Sequence, residues 1–445
     1  MSSPLSSPTF RRLFTAQICS LIGVGLLTVA LSLAAFRIGG AAAGGQILGL
    51  LLALKMVAYV LLAPLAETLL SGVSRKRAMV SLDVGRMLLL LPMAFVSQPW
   101  LVALLAFGFF VLSAGFTPLF QSVIPDILPE EATYTKALAW SRVAYTMEAV
   151  MSPVIAAAML KIVTGESLFY AAALAFAGSV LALLLARLPQ FRDAAREGPF
   201  LKRVGHGFWI YRRTPRLRGL FLLNLSLSLS MAWVLVNSVV YAGARLGDSE
   251  HYFPILMACY GAGAALGAVI VPKLLTRMSE RSAMIIGALG FAAVGALFAV
   301  LPAVPMPYLG AVWVAFGVAS SLVLTPGGLV ITRSAAQKDR ASVFAAQFSA
   351  SHAGWLVAYP LAGWLGSLLS LETALLSLAS LSTVLVLVAL RVWPADDPVD
   401  LAHCHPELPD DHPHLEQVPA SGAQHRHIHA FRIDELHPIW TERSI

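Results

Sequence analysis

The sequence predicts an all-α membrane protein with twelve transmembrane helices arranged as two six-helix bundles. Three observations carry that prediction. The 445 residues are 58% hydrophobic and 12% charged, whereas a soluble chain carries about a quarter charged residues; the mean hydropathy is +0.76. The apolar residues run continuously over helix-length segments, which excludes a membrane barrel, whose strands alternate. The segments also fall into two sets of six around a long basic join.

A helix needs about 20 apolar residues to cross a bilayer. The first six spans are expected at roughly 13–38, 46–71, 78–96, 99–121, 134–161 and 166–187. The second six are expected at roughly 218–243, 252–276, 283–303, 307–331, 341–368 and 370–393. The polar start from Met1 to Arg12 precedes a run too long for a signal-peptide core. It reads as the cytoplasmic lead-in to the first span, with Arg11 and Arg12 held outside the lipid.

Charge sets the orientation. The joins after spans 2, 6 and 8 hold Arg75, Lys76 and Arg77; Arg192 through Arg218; and Lys273, Arg277 and Arg281. The opposite joins, such as Ser97-Gln98-Pro99, are short and nearly uncharged. By the positive-inside rule both termini face the cytoplasm. Residues 394–445 carry ten Asp/Glu and three Lys/Arg, a net of −7, which leaves +14 on the body of a chain whose total is +7. That basic excess marks cytoplasmic loops and not a nucleic-acid surface. The expected organisation is therefore a bundle over 1–190, a cytoplasmic linker over 191–217, a second bundle over 218–393 and a disordered tail over 394–445. The linker mixes aromatic and basic residues from Phe200 to Arg218, as a segment lying on the membrane surface does.

The halves echo each other. Pro64 precedes Arg75-Lys76-Arg77-Ala78-Met79, and Pro272 precedes Glu280-Arg281-Ser282-Ala283-Met284. Span 5 holds Met151-Ser152-Pro153 where span 11 holds Ala358-Tyr359-Pro360. Weak six-helix repeats are a transporter signature, with the substrate site near midplane between the halves.

With those residues in view, the chain resembles a major facilitator superfamily transporter over residues 1 to about 393. Ala63-Pro64-Leu65-Ala66 to Arg75-Lys76-Arg77 occupies the place of the family's signature loop, and Asp83-Val84-Gly85-Arg86 fits beside it. Ser122-Val123-Ile124-Pro125-Asp126 before span 5 is similar to the drug-, siderophore- and macrolide-exporting branch. The loop departs from the pattern at Glu67, Ser71 and Ser74, where the family keeps Gly, Asp and Gly. The gating charge pair built on that Asp therefore does not carry over. With the histidine tail added, the chain looks most like the nickel-resistance exporters of the Nre type.

Ionisable residues inside a membrane are costly and need a partner or a task. Glu148 lies deep in span 5, on one helix face with Arg142 and Tyr145. It reads as a cation or proton site, with Met147 or Met151 as soft neighbours, or as an ion pair with Arg142 or Lys55. His352 in span 11 is the histidine placed well inside a helix, opposite Tyr145 when Pro153 and Pro360 are aligned. It reads as a ligand or proton carrier, or as a packed hydrogen-bonding residue. Lys55 in span 2 suits a counter-ion to Glu148 or to an anionic substrate. Asp83 and Arg86, at i and i+3, are expected to form a cytoplasmic-edge gating cluster with Arg75, Lys76 and Arg77. Asn224, Asn237 and Gln121 read as cavity lining or interhelical hydrogen bonds, and Gly261, Gly263 and Gly267 as close helix contacts.

The tail holds eight of the eleven histidines: His403, His405, His412, His414, His425, His427, His429 and His437. With Cys404 they form a candidate metal-binding arm, because imidazole and thiolate suit Ni, Co, Zn and Cu. Cys19, Cys259 and Cys404 lie too far apart in sequence for a disulfide framework. No catalytic constellation and no Walker loop occurs, so the chain is not expected to be an enzyme or to use ATP. The leading expectation is a proton-coupled exporter of divalent Ni or Co from a bacterial inner membrane, acting as a monomer. No resident cofactor is expected, although Ni or Co bound to the tail or carried as cargo is. The rival is an exporter of an amphipathic organic compound or siderophore, with the tail as a metal buffer; a membrane metal sensor is a third class. Membrane lipid and a metal ion or small molecule are the expected partners, and nucleic acid is not.

Overall fold

The structure is a computed structural model that describes residues 4–62, 74–128, 130–188, 200–301, 305–336, 339–398, 400–403, 427–434 and 436–440. Helix α1, Pro8–Val57, runs for 50 residues. At 1.5 Å per residue that is about 75 Å, more than twice a hydrocarbon core. The chain therefore reverses inside it. Gly40 takes φ 56° and ψ −154°, a conformation that L side chains rarely adopt. The first two predicted spans lie on either side of that turn. Ser7 caps the start, its hydroxyl accepting from the Phe10 N–H at 3.3 Å. The second limb ends in a π-helical turn, Ala58–Leu62.

The rest of the first half comprises α2 Arg75–Met93, α3 Pro99–Ile127, α4 Glu131–Met159 and α5 Ser167–Leu185. A linker helix, α6 Phe200–Arg213, leads into α7 Pro215–Leu246, α8 Ser249–Leu274 and α9 Glu280–Val300. α10 Met306–Leu324 and α11 Gly327–Ser334 share one predicted span, divided at Thr325-Pro326 because proline lacks the N–H that would carry the helix on. α12 Arg340–Leu368 and α13 Leu371–Val392 complete the second half. Side chains cap the polar ends: Asp248 accepts from His251 N–H at 2.9 Å, and Ser370 from Thr373 N–H at 3.1 Å. Gly247, at φ 84°, ends α7 in the left-handed conformation.

Among the described residues, eight helices are long and apolar enough to cross a membrane by composition, with α1 providing two passes. α2, α4 and α12 have the length but interrupt their apolar run with polar residues. Those three helices carry Asp83, Arg86, Glu148 and His352. The result is the expected twelve-pass, two-bundle membrane fold.

The halves meet along α1 and α12. A Cβ built at Gly45 would lie 3.6 Å from the Gly363 carbonyl oxygen, and one at Gly49 would lie 2.5 Å from that of Tyr359. The Gly45-x-x-x-Gly49 spacing puts both on one face, so backbone approaches backbone. Gln46 Nε2 donates to Ser367 Oγ at 2.5 Å along the same seam. Nearby, Gly165 N–H of the first half donates to Glu250 of the second at 3.2 Å. Arg37 pairs with Glu166 beside it. These contacts gather at the end of the molecule that bears the Gly40 turn, opposite the start of α1 and the end of α13.

The tail departs from the expected disordered arm in its described parts. β1 Asp400–His403 and β2 His427–Ala430 form an antiparallel ladder. Phe431 and Ile433 are buried, and Phe431 packs edge-on to Trp440 at 5.2 Å. Arg216 stacks over Trp440 at 5.1 Å, and its Nη2 meets Asp397 at 3.0 Å. Arg213 donates to the Pro438 carbonyl. The reason is a few specific contacts: Asp397, Pro438 and Trp440 meet Arg216 and Arg213 of the body and hold a segment whose overall composition reads as polar. His405, His412, His414, His425 and Cys404 lie outside the described residues.

Candidate functional site

The π-helical turn after α1 brings Tyr59 toward the second half of the chain. Its ring lies 6.2 Å from that of His352 on α12. His352 also packs on Phe348 at 3.8 Å, and its Nδ1 sits 2.8 Å from the Phe348 carbonyl. A carbonyl only accepts, so Nδ1 holds the proton in that bond; in the neutral ring Nε2 then carries the lone pair. Lys55, one turn before Tyr59, places its ammonium 5.7 Å from the Tyr59 ring and 6.0 Å from the Phe110 ring. Its charge reaches both His352 and Glu148.

Glu148 arrives from α4 because α4 lies very close to α1. A Cβ at Gly25 would fall 1.9 Å from Ser152 Oγ and 3.0 Å from Glu148 Oε1. Only glycine there allows that crossing. Lys55 is the cation whose field acts on Glu148, and no ion pair within 4 Å closes between them among the described residues. The side chains of Arg142 and Gln121 lie outside the described residues. Met147 and Met151 are 38% and 44% exposed. Among the described residues no three His, Cys, Asp or Glu side chains group around one point.

Tyr145 lies on the same face of α4 as Glu148. It lies, with Tyr59, within the electrostatic reach of Arg86, while Tyr59 is the aromatic partner of His352. Asp83 and Arg86 pair with each other, as their spacing predicts, but inside the first bundle. Both are buried. Ser179 donates to Asp83 at 2.5 Å, Arg86 donates to Ser20 at 3.3 Å, and the rings of Phe116 and Phe176 flank the guanidinium at 4.3 and 4.6 Å. The expected edge cluster with Arg75, Lys76 and Arg77 is thereby corrected: desolvated charges need close partners, and Asp83 finds them in Arg86 of its own helix and Ser179 of α5.

Lys76 instead caps a helix. Its Nζ donates to the Leu184 and Ala186 carbonyls at 2.6 and 2.8 Å. Arg12 does the same to Leu185 at 2.6 Å. In the second half Arg281, which aligns with Lys76 in the repeat, donates to the Trp393 carbonyl at 2.6 Å and to Leu390 at 3.3 Å. Each half thus closes the last turn of its sixth span with the cation of its own basic loop, where unpaired carbonyls carry partial negative charge. Arg77 is exposed and Arg75 half-buried. The signature-loop departures Glu67 and Ser71 lie outside the described residues.

Asn237 joins α7 to α12 through the Ala362 carbonyl at 2.9 Å, whereas Asn224 bonds within its own helix to Leu220. Gly263 and Gly267 pack against α10 as their spacing predicts, since a Cβ at either would fall 2.0 Å from Val314 O or 2.6 Å from Ser321 Cβ. Residues missed by sequence reading are Tyr59, Phe348 and the Gly45/Gly49 pair. The small-residue spacing was the available signal for the last two.

In the tail, the ladder register places His403 opposite His427 and Leu401 opposite His429. His437 is buried and its Nδ1 lies 2.8 Å from Asp434. Burial pushes the Asp434 carboxyl up, but hydrogen bonds from the His437 ring and backbone and from Leu436 outweigh it and hold the carboxyl below its ordinary value.

The sequence profile of the Major Facilitator Superfamily matches residues 220–404. Macrolide efflux protein A of Streptococcus pyogenes is 22% identical over 288 residues, covering 63% of this chain and 65% of that protein. The chain thus aligns with just under two thirds of that relative's length. Macrolide efflux protein A of Enterococcus faecalis is 23% identical over 244 residues, covering 53% and 69%. Among solved structures, a mutant of the nucleoside transporter NupG superposes with a TM-score of 0.73 at 16% identity, over 86% of this chain and all of that one. A bacterial homolog of the human lysosomal transporter Spinster, inward-facing and unoccupied, gives 0.67 at 15% identity over 87% and 96%. The chain is a multi-pass, all-α membrane protein with the major facilitator fold, and its second half carries that superfamily's sequence pattern.

Proposed function

We propose that this protein is a secondary-active exporter of an amphipathic organic compound, coupled to protons through Glu148. One observation carries the reading: the charge of Lys55, held beside the rings of Tyr59 and Phe110, reaches Glu148 in its own half and His352 in the other, where His352 packs on Tyr59 and Phe348. Aromatic walls with a few polar groups suit a partly apolar organic molecule. A lysine among the polar groups disfavours a bare divalent cation by repulsion. The relatives named for macrolide efflux support the same direction.

The halves are pinned together at the Gly40 end, and the positive-inside rule assigns that end to the outside. This arrangement is then the state open to the cytoplasm, with both termini on that side. Substrate enters beside His352 as Glu148 releases its proton to the cytoplasm, the carboxylate then being favoured by the Lys55 charge; rocking of the bundles turns the site outward, where Glu148 takes up a proton as the substrate leaves. Accumulation of a macrolide and of a fluorescent amphipathic cation is measured in cells expressing the wild type or Glu148→Gln. Lower accumulation with the wild type alone supports the reading; equal accumulation for every organic probe overturns it.

A second reading retains metal at the tail, because the ladder sets His403 against His427. In that reading the arm buffers Ni or Co, or Ni and Co are the exported cargo. Cell-associated Ni and Co measured in the same strains, with and without residues 394–445, separate buffer from cargo: efflux of metal that persists in Glu148→Gln argues against export through this site.

A further inference from the structure

Along one side α6 is anchored to α12. A Cβ at Gly207 would sit 2.0 Å from the Ser342 carbonyl oxygen, His206 meets Asp339 at 3.0 Å, and the Tyr211 hydroxyl donates to Gln347. All three contacts tie α6 to the start of α12. Toward α7 and the end of α13 an open groove remains, of about 600 Å³, within the roughly 300–1,000 Å³ typical of small-ligand sites. Its apolar wall is Phe208, Trp209, Phe221, Leu222 and Val392, and its charged groups are Arg212 and Arg218.

Those two arginines differ from their neighbours. Arg213 packs on Trp209 at 5.0 Å and bonds Pro438, and Arg216 pairs with Asp397 at 3.0 Å. Arg212 and Arg218 are exposed and have no acidic or hydrogen-bonding partner among the described residues. They flank the turn from α6 into α7, where the bundle meets water. The groove therefore combines two uncompensated cations, an interfacial tryptophan and an apolar channel running into the membrane zone along α7 and α13. A soluble anion satisfies the cations but leaves the apolar wall wet. A neutral lipid covers the wall but leaves the cations without a partner.

We propose that this groove binds one anionic phospholipid of the adjoining leaflet, its phosphate held by Arg212 and Arg218 and an acyl chain laid along Phe208, Phe221, Leu222 and Val392. Basic groups near a membrane surface attract anionic headgroups in this way, and the aromatic rings sit where such rings are enriched. The lipid clamps α6 against α7 and α13 and completes the docking of the linker. This inference stands independently of what the central site carries.

The test uses the purified full-length chain in detergent, with bound lipid counted by native mass spectrometry during titration with phosphatidylglycerol, phosphatidylcholine or glycerol 3-phosphate. One equivalent of phosphatidylglycerol is expected in preference to the other two. Arg212→Gln/Arg218→Gln should weaken it about 30-fold, as two surface cations predict. Leu222→Trp, which fills the groove without changing charge, should weaken it as well. Lys273→Gln/Arg277→Gln, with the same charge loss elsewhere, should leave it unchanged, and all variants are checked for an unaltered elution profile. Equal binding of phosphatidylcholine, equal binding of glycerol 3-phosphate, or equal losses in the Lys273/Arg277 control each overturn the proposal.

Discussion

The carbonyl oxygen of Tyr359 occupies the space where a side chain on Gly49 would begin, 2.5 Å from a Cβ built there. Two helices from opposite halves are therefore in backbone contact, one and a half turns before Lys55 and two turns after His352. Any larger residue at 49 must separate them. Gly49→Val should cost about 1–3 kcal/mol through overpacking and part the seam. Cysteines at Gln46 and Ser367, whose side chains meet at 2.5 Å in the wild type, should crosslink far less in that background. Unchanged crosslinking would show that the seam tolerates bulk.

Lys55 and Glu148 compensate each other without closing an ion pair. Removing one leaves the other's charge in a desolvated site. Lys55→Met and Glu148→Gln should each lower stability, and the double variant should recover part of the loss. The coupling expected for residues sharing one site is about 0.5–3 kcal/mol, read as the non-additivity of midpoints in a thermal unfolding series. Additive effects would place the two charges in separate environments.

Lys76 and Arg281 perform the same task in the two halves. Lys76→Gln should fray the end of α5, and Arg281→Gln the end of α13, each at about 0.3–1 kcal/mol as for a cation at a helix C-terminus. Hydrogen exchange should rise at Leu184–Ala186 in the first variant and at Leu390–Trp393 in the second. A rise at both ends in both variants would contradict the local role.

The tail docks where Trp440 and Asp397 meet Arg216 and Pro438 meets Arg213, while Asp434, His437 and Phe431 hold the docking segment together. Trp440→Ala should release it, seen as faster proteolysis between Trp393 and Asp397 in the full-length protein. Asp434→Asn should act more weakly in the same direction. Because the Asp434 carboxyl is held below its ordinary value, its contribution is complete above the ordinary carboxylate pKa of about 4. It is lost as pH falls through the depressed folded value, so between pH 6 and 8 docking should not vary through this group. Proteolysis that changes steadily across that window would assign the docking to a different titrating residue.

Twelve passes, the central linker and the six-plus-six repeat were legible in the sequence, because lipid forces each crossing to be a helix that satisfies its own backbone and is predominantly apolar. Glu148, Lys55 and His352 were legible as candidates for the same reason: each breaks an apolar run at a cost that demands a partner. The sequence could not say which partner. Tyr59 faces His352 because a π-helical turn rotates the end of the second span, and such a turn has no apolar period to read. Asp83 and Arg86 lie inside the bundle because Ser179, from a span nearly a hundred residues away, offers the hydrogen bond that makes burial tolerable. The tail's docking rests on Arg213 and Arg216 meeting Pro438 and Asp397, a juxtaposition no local window contains. Periodicity and transfer cost thus determined the passes, whereas pairing between distant spans decided the site, since a buried charge takes whichever partner the packing brings within reach.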